Sequence, residues 1–162
     1  MSELLKKKVS MGDLSLILKA GLAAPSGKNL QECNLVVLIE ERSISKTIQT
    51  IEKAKNIERY TGFYRAPVLV LVCAPREAVY GTQDSACIIE NILIAATSLK
   101  LGGTWNNQLT TISDNKDVIN LLSNFGITSN YKVYGTILLG YPLFNESKEK
   151  QIDAKNRISY IT

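Results

Sequence analysis

Ala24-Pro25-Ser26-Gly27-Lys28-Asn29-Leu30-Gln31 is the densest group of polar and turn-forming residues between regular elements in this chain of 162 amino acids. Pro25 fixes the exit from a helix, Gly27 can take a positive φ, and Ser26, Asn29 and Gln31 offer hydrogen-bond groups that can converge. Two readings fit these residues: an ordinary connection between helix and strand, or a loop that reads the edge of a planar ring or a chain of hydroxyls. Upstream, Ser10 and Asp13 resemble a helix start, and Leu14, Ile17, Leu18 and Gly21-Leu22 recur at helical spacing, which predicts a helix over about 11–22. Downstream, Asn34-Leu35-Val36-Val37-Leu38-Ile39 predicts a short buried strand.

Further out, Ile44, Ile48, Ile51 and Ala54 mark one face of a helix over about 43–57, followed by an aromatic loop with Tyr60, Phe63 and Tyr64. Pro67 opens the most apolar strand, Val68-Leu69-Val70-Leu71-Val72-Cys73, where a first position can do without its N–H. A long helix is predicted over 83–100, apolar at Ile88, Ile89, Ile92, Leu93, Ala96 and Leu99 and ending at Gly102-Gly103. It carries more apolar surface than one face needs, so packing on two sides is expected, one of them a candidate subunit contact. A short helix over about 115–123 and a strand over 134–139 follow, the strand closing on Gly140-Tyr141-Pro142. Beyond a lysine-rich stretch, Arg157-Ile158-Ser159-Tyr160-Ile161 alternates as an added edge strand would. This order lacks the regular alternation of a doubly wound sheet and points to the α+β class, in a single domain over 1–162.

Composition narrows the function. The formal charge of +4 is modest, and Lys6-Lys7-Lys8 is one short run that reads as a solvated helix start, with no basic stripe of the kind nucleic acid requires. The chain has no histidine, which removes His-based triads and most zinc sites, so enzymatic chemistry would come from carboxylates, amines, a thiol or a bound cofactor. Cys33, Cys73 and Cys87 have no metal or redox spacing and are expected to pack as small hydrophobes in a reducing compartment, with Cys33, beside polar residues, the candidate for reactivity. No apolar stretch reaches the ~20 residues of a membrane span, and a cytoplasmic location with no membrane partner is expected.

The loop resembles the Ala-Pro-Ser-x-x-Asn-x-Gln segment of the nitroreductase family, and further matches follow in order: Ala66-Pro67 before a Val/Leu strand, Asp84-x-Ala86, Glu90-Asn91, Leu101-Gly102-Gly103-Thr104-Trp105, and Leu139-Gly140-Tyr141-Pro142. The resemblance covers most of the chain. It implies a nitroreductase-like fold, with a central, mostly antiparallel sheet flanked by helices, and a homodimer holding FMN at its interface. It also implies an activity: electrons pass from NADH or NADPH through flavin N5 to a small acceptor, such as a nitroaromatic or a quinone, by a ping-pong mechanism. A flavin-binding or flavin-storing protein of the same fold is the alternative. By the same resemblance, Pro25, Ser26, Gly27 and Asn29 meet the flavin across the interface. Gly102, Gly103 and Thr104 form a turn beside the ring, where a plain helix cap is the other reading. Lys155 and Arg157 match the family's Lys-x-Arg segment, which grips the phosphate, against the alternative of a solvated tail. Alignment on Ala24-Pro25-Ser26 puts the family's Arg-Arg-Ser-x-Arg segment ahead of Met1, which leaves Lys6, Lys7 or Lys8 as substitutes.

Overall fold

The computed structural model describes residues 4–5, 7–143, 159 and 161. Five strands, β1 (Leu4–Leu5), β2 (Asn34–Leu38), β3 (Val68–Pro75), β4 (Gly102–Asn106) and β5 (Tyr131–Pro142), alternate with four helices, α1 (Met11–Leu22), α2 (Glu41–Lys55), α3 (Gly81–Ser98) and α4 (Lys116–Asn124). Every strand pairing is antiparallel. β5 lies between β3 and β4, β2 pairs with the other side of β3, and β1 pairs with the end of β5 at Tyr141 and Pro142. The expected α+β class and antiparallel sheet are both present.

β3 is a continuous apolar run because both of its faces are covered. Leu69, Leu71 and Cys73 pack with Ile51 of α2 and with Val118 and Leu122 of α4. Val68, Val70 and Val72 pack with Leu14 and Ile17 of α1 and with Ile88, Ile89, Ile92 and Ala96 of α3. Side chains alternate across a strand, so one sequence run serves two cores. Between Val72 and Cys73 the register with β5 slips, leaving Tyr134 as the extra residue of a bulge. This reverses the alternation of β5: Val133 faces the α2/α4 core, while Ile137 and Leu139 face the α1/α3 core.

Several boundaries differ from those expected. α3 starts at Gly81 and ends at Ser98, because Lys100 takes the left-handed conformation (φ 60°) and turns the chain two residues before the glycine pair. Gly102 and Gly103 therefore do not cap the helix; they open β4, in register with Gly140 and Leu139. The expected edge strand over 157–161 falls, apart from Ser159 and Ile161, outside the described residues. Ser10 caps α1 as its sequence suggested, its Oγ accepting from the Asp13 N–H at 3.1 Å.

Candidate functional site

The loop after α1 is built from its own hydrogen bonds. The Gln31 N–H donates to Ser26 Oγ (3.2 Å), and Gln31 Nε2 donates to Asn29 Oδ1 (2.8 Å). A short 3-10 turn, Gly27–Asn29, is closed by Asn29 N–H to the Ser26 carbonyl and Leu30 N–H to the Gly27 carbonyl. The left-handed conformation expected of Gly27 falls instead on Lys28, Asn29 and Gln31, with φ of 52°, 56° and 53°. Glycine is required at 27 for a different reason. A Cβ there would stand 2.2 Å from Cγ of Tyr80, so only a bare backbone can approach the start of α3.

That approach is fixed by a hydrogen bond across 57 residues: the Gly27 N–H donates to Asp84 Oδ1 at 2.8 Å, and Asp84 is only 6% exposed. Pro25, Lys28, Asn29, Leu30 and Gln31 remain exposed. Asn29 thus keeps its Nδ2 hydrogens, and Lys28 its ammonium, for a group outside the loop.

The second candidate segment, in β4, packs against a different part of α3. Gly103 packs under the helix, where a Cβ would meet Leu93 at 2.6 Å, and Gly102, Gly103 and Thr104 pair with Gly140, Leu139 and Leu138. From Asp84 to Leu93 is roughly 13 Å along the helix axis at ~1.5 Å per residue. The structure therefore does not bring the loop and the glycine strand together within one chain. β4 ends on a side chain that sequence reasoning passed over: Asn106 Nδ2 donates to Tyr60 OH (3.0 Å) and to the Gly62 carbonyl (3.1 Å), tying the aromatic loop to the strand. Tyr60 and Phe63 stack edge to face at 4.9 Å. Two surface clefts, of about 280 Å³ between α2 and α4 and about 350 Å³ between α1 and β2, are lined by none of the candidate residues.

Of the cationic candidates, Lys7 has its Nζ 4.5 Å from the centroid of the Tyr141 ring, next in chain to Gly140, the β5 partner of Gly102. Lys8 is exposed, and Lys6, Lys155 and Arg157 lie outside the described residues. Among the described residues no group of His, Cys, Asp and Glu could hold a metal, and no helix is long and apolar enough to cross a membrane.

The thiols follow their surroundings. Cys33 Sγ lies 3.5 Å from Ser85 Oγ, and burial pushes its pKa up, which opposes thiolate reactivity at neutral pH. Cys87, expected in the core, is exposed on α3. Cys73 is fully buried in β3, and burial raises its pKa from 9.0 to about 12. The folded state therefore binds the proton more tightly than the unfolded one. This contribution to stability is complete below about pH 9 and is lost as pH rises towards 12, at about 1.4 kcal/mol per pH unit. Urea unfolding at about pH 8 and about pH 10.5 should show a loss that Cys73→Ala reduces by about 2 kcal/mol.

Comparison with known proteins agrees with this architecture. The family model described as Nitroreductase family matches residues 2–141, and the chain belongs to that family. A candidate NADH dehydrogenase/NAD(P)H nitroreductase of Archaeoglobus fulgidus is 29% identical over 141 residues, covering 84% of this chain and 76% of that protein. A Bacteroides fragilis nitroreductase crystallised with bound FMN superposes with a TM-score of 0.91 at 30% identity, over 99% of this chain and 92% of that one. An FMN-dependent nitroreductase of Clostridium difficile superposes with a TM-score of 0.74 at 25% identity, over 95% and 87%.

The residues present fit FMN. Its ring edge and phosphate offer mainly acceptors, and the exposed groups here include donors suited to them: the Asn29 amide and the Lys28 and Lys7 ammonium groups. Of the carboxylates near the loop, Asp84 is turned inward onto Gly27.

Proposed function

We propose that this chain is an FMN-dependent oxidoreductase that works as a homodimer, taking electrons from NADH or NADPH and passing them to a small acceptor such as a nitroaromatic or a quinone. The observation that carries this reading is the superposition, over 99% of the chain, on a nitroreductase with bound FMN. FMN, when bound, supplies the redox chemistry, in ping-pong fashion, which suits a chain without histidine. The protein's part is to bind and orient. Pro25, Ser26, Gly27 and Asn29 of one subunit, and Gly102, Gly103 and Thr104 of the other, are the two halves of the site. Their separation along α3 within one chain supports a shared site. Lys155, Arg157 and Lys7 are the proposed cationic partners of the phosphate.

Exposed apolar side chains on α1 and α3, Met11, Leu16, Leu22 and Ile94, support the dimer. The test is anaerobic addition of NADH or NADPH to the FMN-loaded protein. Bleaching of the flavin's visible absorbance within seconds is expected, followed by recovery on adding a quinone. A flavin that stays yellow with both nicotinamides would mark a storage protein, and protein that takes up no FMN would sink both readings. Asn29→Ala should weaken FMN binding by about 1–3 kcal/mol with little change in melting temperature. Loss of stability without loss of FMN affinity would give Asn29 a purely structural role.

A further inference from the structure

Residues 20–33 are fastened along one side of α3 at successive points. Asn91 Nδ2 donates to the Ala20 carbonyl at 3.0 Å. Gly21 lies so close to Ile92 that a Cβ would stand 2.6 Å from its side chain. Gly27 rests on Tyr80 and donates its N–H to Asp84, and Cys33 meets Ser85. Between the last two points only residues 28–32 project, and three of them hold left-handed conformations that non-glycine residues rarely adopt. Such a backbone persists only where its surroundings over-determine it.

A buried carboxylate is a poor choice for stability alone. Removing its charge from water is costly, and a well-packed apolar side chain of similar size often does as well. Two features offset that cost: the Gly27 N–H, and the first turn of α3, whose positive end favours an anion. Both place the carboxylate where it fixes the loop in direction as well as distance.

We infer that Asp84 is the positioning residue of the cofactor loop, holding residues 25–31 so that Asn29 presents its amide to FMN bound on the partner subunit. This rests on the function proposed above. Without the acceptor at 84, residues 25–31 lose the hydrogen bond that ties them to α3 between the Ala20 and Cys33 anchors, and the left-handed residues relax.

The test compares full-length wild type, D84A, D84N and D84E in two measurements. One is FMN affinity, from quenching of flavin fluorescence. The other is the rate at which trypsin cuts the Lys28–Asn29 bond before FMN is added, followed by mass spectrometry. D84A should bind FMN about ten- to a hundredfold more weakly and be cut about tenfold faster, the loss expected for one hydrogen bond to a charged group. D84N keeps an acceptor oxygen and should restore both towards wild type. Unchanged FMN affinity or unchanged cutting in D84A overturns the inference. So does an equal fall of D84N and D84A in melting temperature with no change in cutting, which would mark Asp84 as a stabiliser of α3. If D84A does not fold, D84E decides. It keeps the charge but carries the oxygens one methylene further, so weaker FMN binding supports positioning and wild-type affinity overturns it. Wild-type protein that takes up no FMN defeats the functional reading and this inference with it, whereas a wild type that binds FMN beside an unaffected D84A defeats the inference alone.

Discussion

Valine in place of Gly27 is expected to remove most of the chain's affinity for FMN and to lower its stability by several kcal/mol. The atoms a new side chain would meet are Cγ, Cδ2 and Cβ of Tyr80, at 2.2, 2.3 and 2.7 Å; turning the Tyr80 side chain could move its ring, but Cβ is fixed by the backbone and still lies too close. Overpacking of this kind costs about 1–3 kcal/mol. Displacing the loop also breaks the Gly27–Asp84 hydrogen bond and leaves a buried carboxylate without its donor, about 1.5–3 kcal/mol more. Denaturant unfolding measures the sum, and flavin fluorescence measures the binding. Gly12→Ala is the control: its nearest neighbour would be Ser10 Oγ at 3.6 Å, and alanine in a helix should be neutral or stabilising by up to about 1 kcal/mol. If Gly27→Val binds FMN as wild type does, the loop is not part of the site.

The largest effect on stability alone is expected at Leu71. It is fully buried at the middle of β3, opposite Val36 of β2 and Thr136 of β5, in the core closed by α2 and α4. Leu71→Ala should cost about 2–5 kcal/mol, the upper half of that range applying if the surrounding strands cannot collapse into the gap. Pairing on both edges of β3 favours the upper half. A domain of this size is typically stable by about 5–15 kcal/mol, so the variant should melt many degrees lower. Val79→Ala, at a mostly exposed position, should stay within about 0.5 kcal/mol of wild type. A Leu71→Ala loss below about 1 kcal/mol would contradict the two-faced burial of β3.

What could be read from the sequence divides along physical lines. β3 and α1 announced themselves because burial and periodicity coincide there. β4 did not: Gly102-Gly103-Thr104-Trp105-Asn106 has glycine punctuation and only half-buried or exposed residues, and its extended state comes from pairing with β5. The start of β5 was missed because the bulge at Tyr134 breaks the alternation on which strand recognition depends. In the site, residue types marked the loop but not its mechanics. Gly27 drew notice for a conformation it does not adopt, and the left-handed residues proved to be a lysine, an asparagine and a glutamine. Asp84 was part of a family motif, yet nothing in its local pattern connects it to a backbone N–H 57 residues earlier.

The central place of β5 also bears on how the chain folds as it is synthesised. Val68 pairs with Leu139, so β3 emerges from the ribosome well before the strand that covers one of its edges, and β4 has no strand partner among the described residues until β5 arrives. Until then a nascent chain exposes an unpaired edge of the most apolar segment, a template for pairing with neighbouring chains. Contacts so distant in sequence slow folding, because the loop must close before they contribute. Mutations that delay docking of β5 should therefore reduce soluble yield on expression more than they reduce the melting temperature of the molecules that do fold.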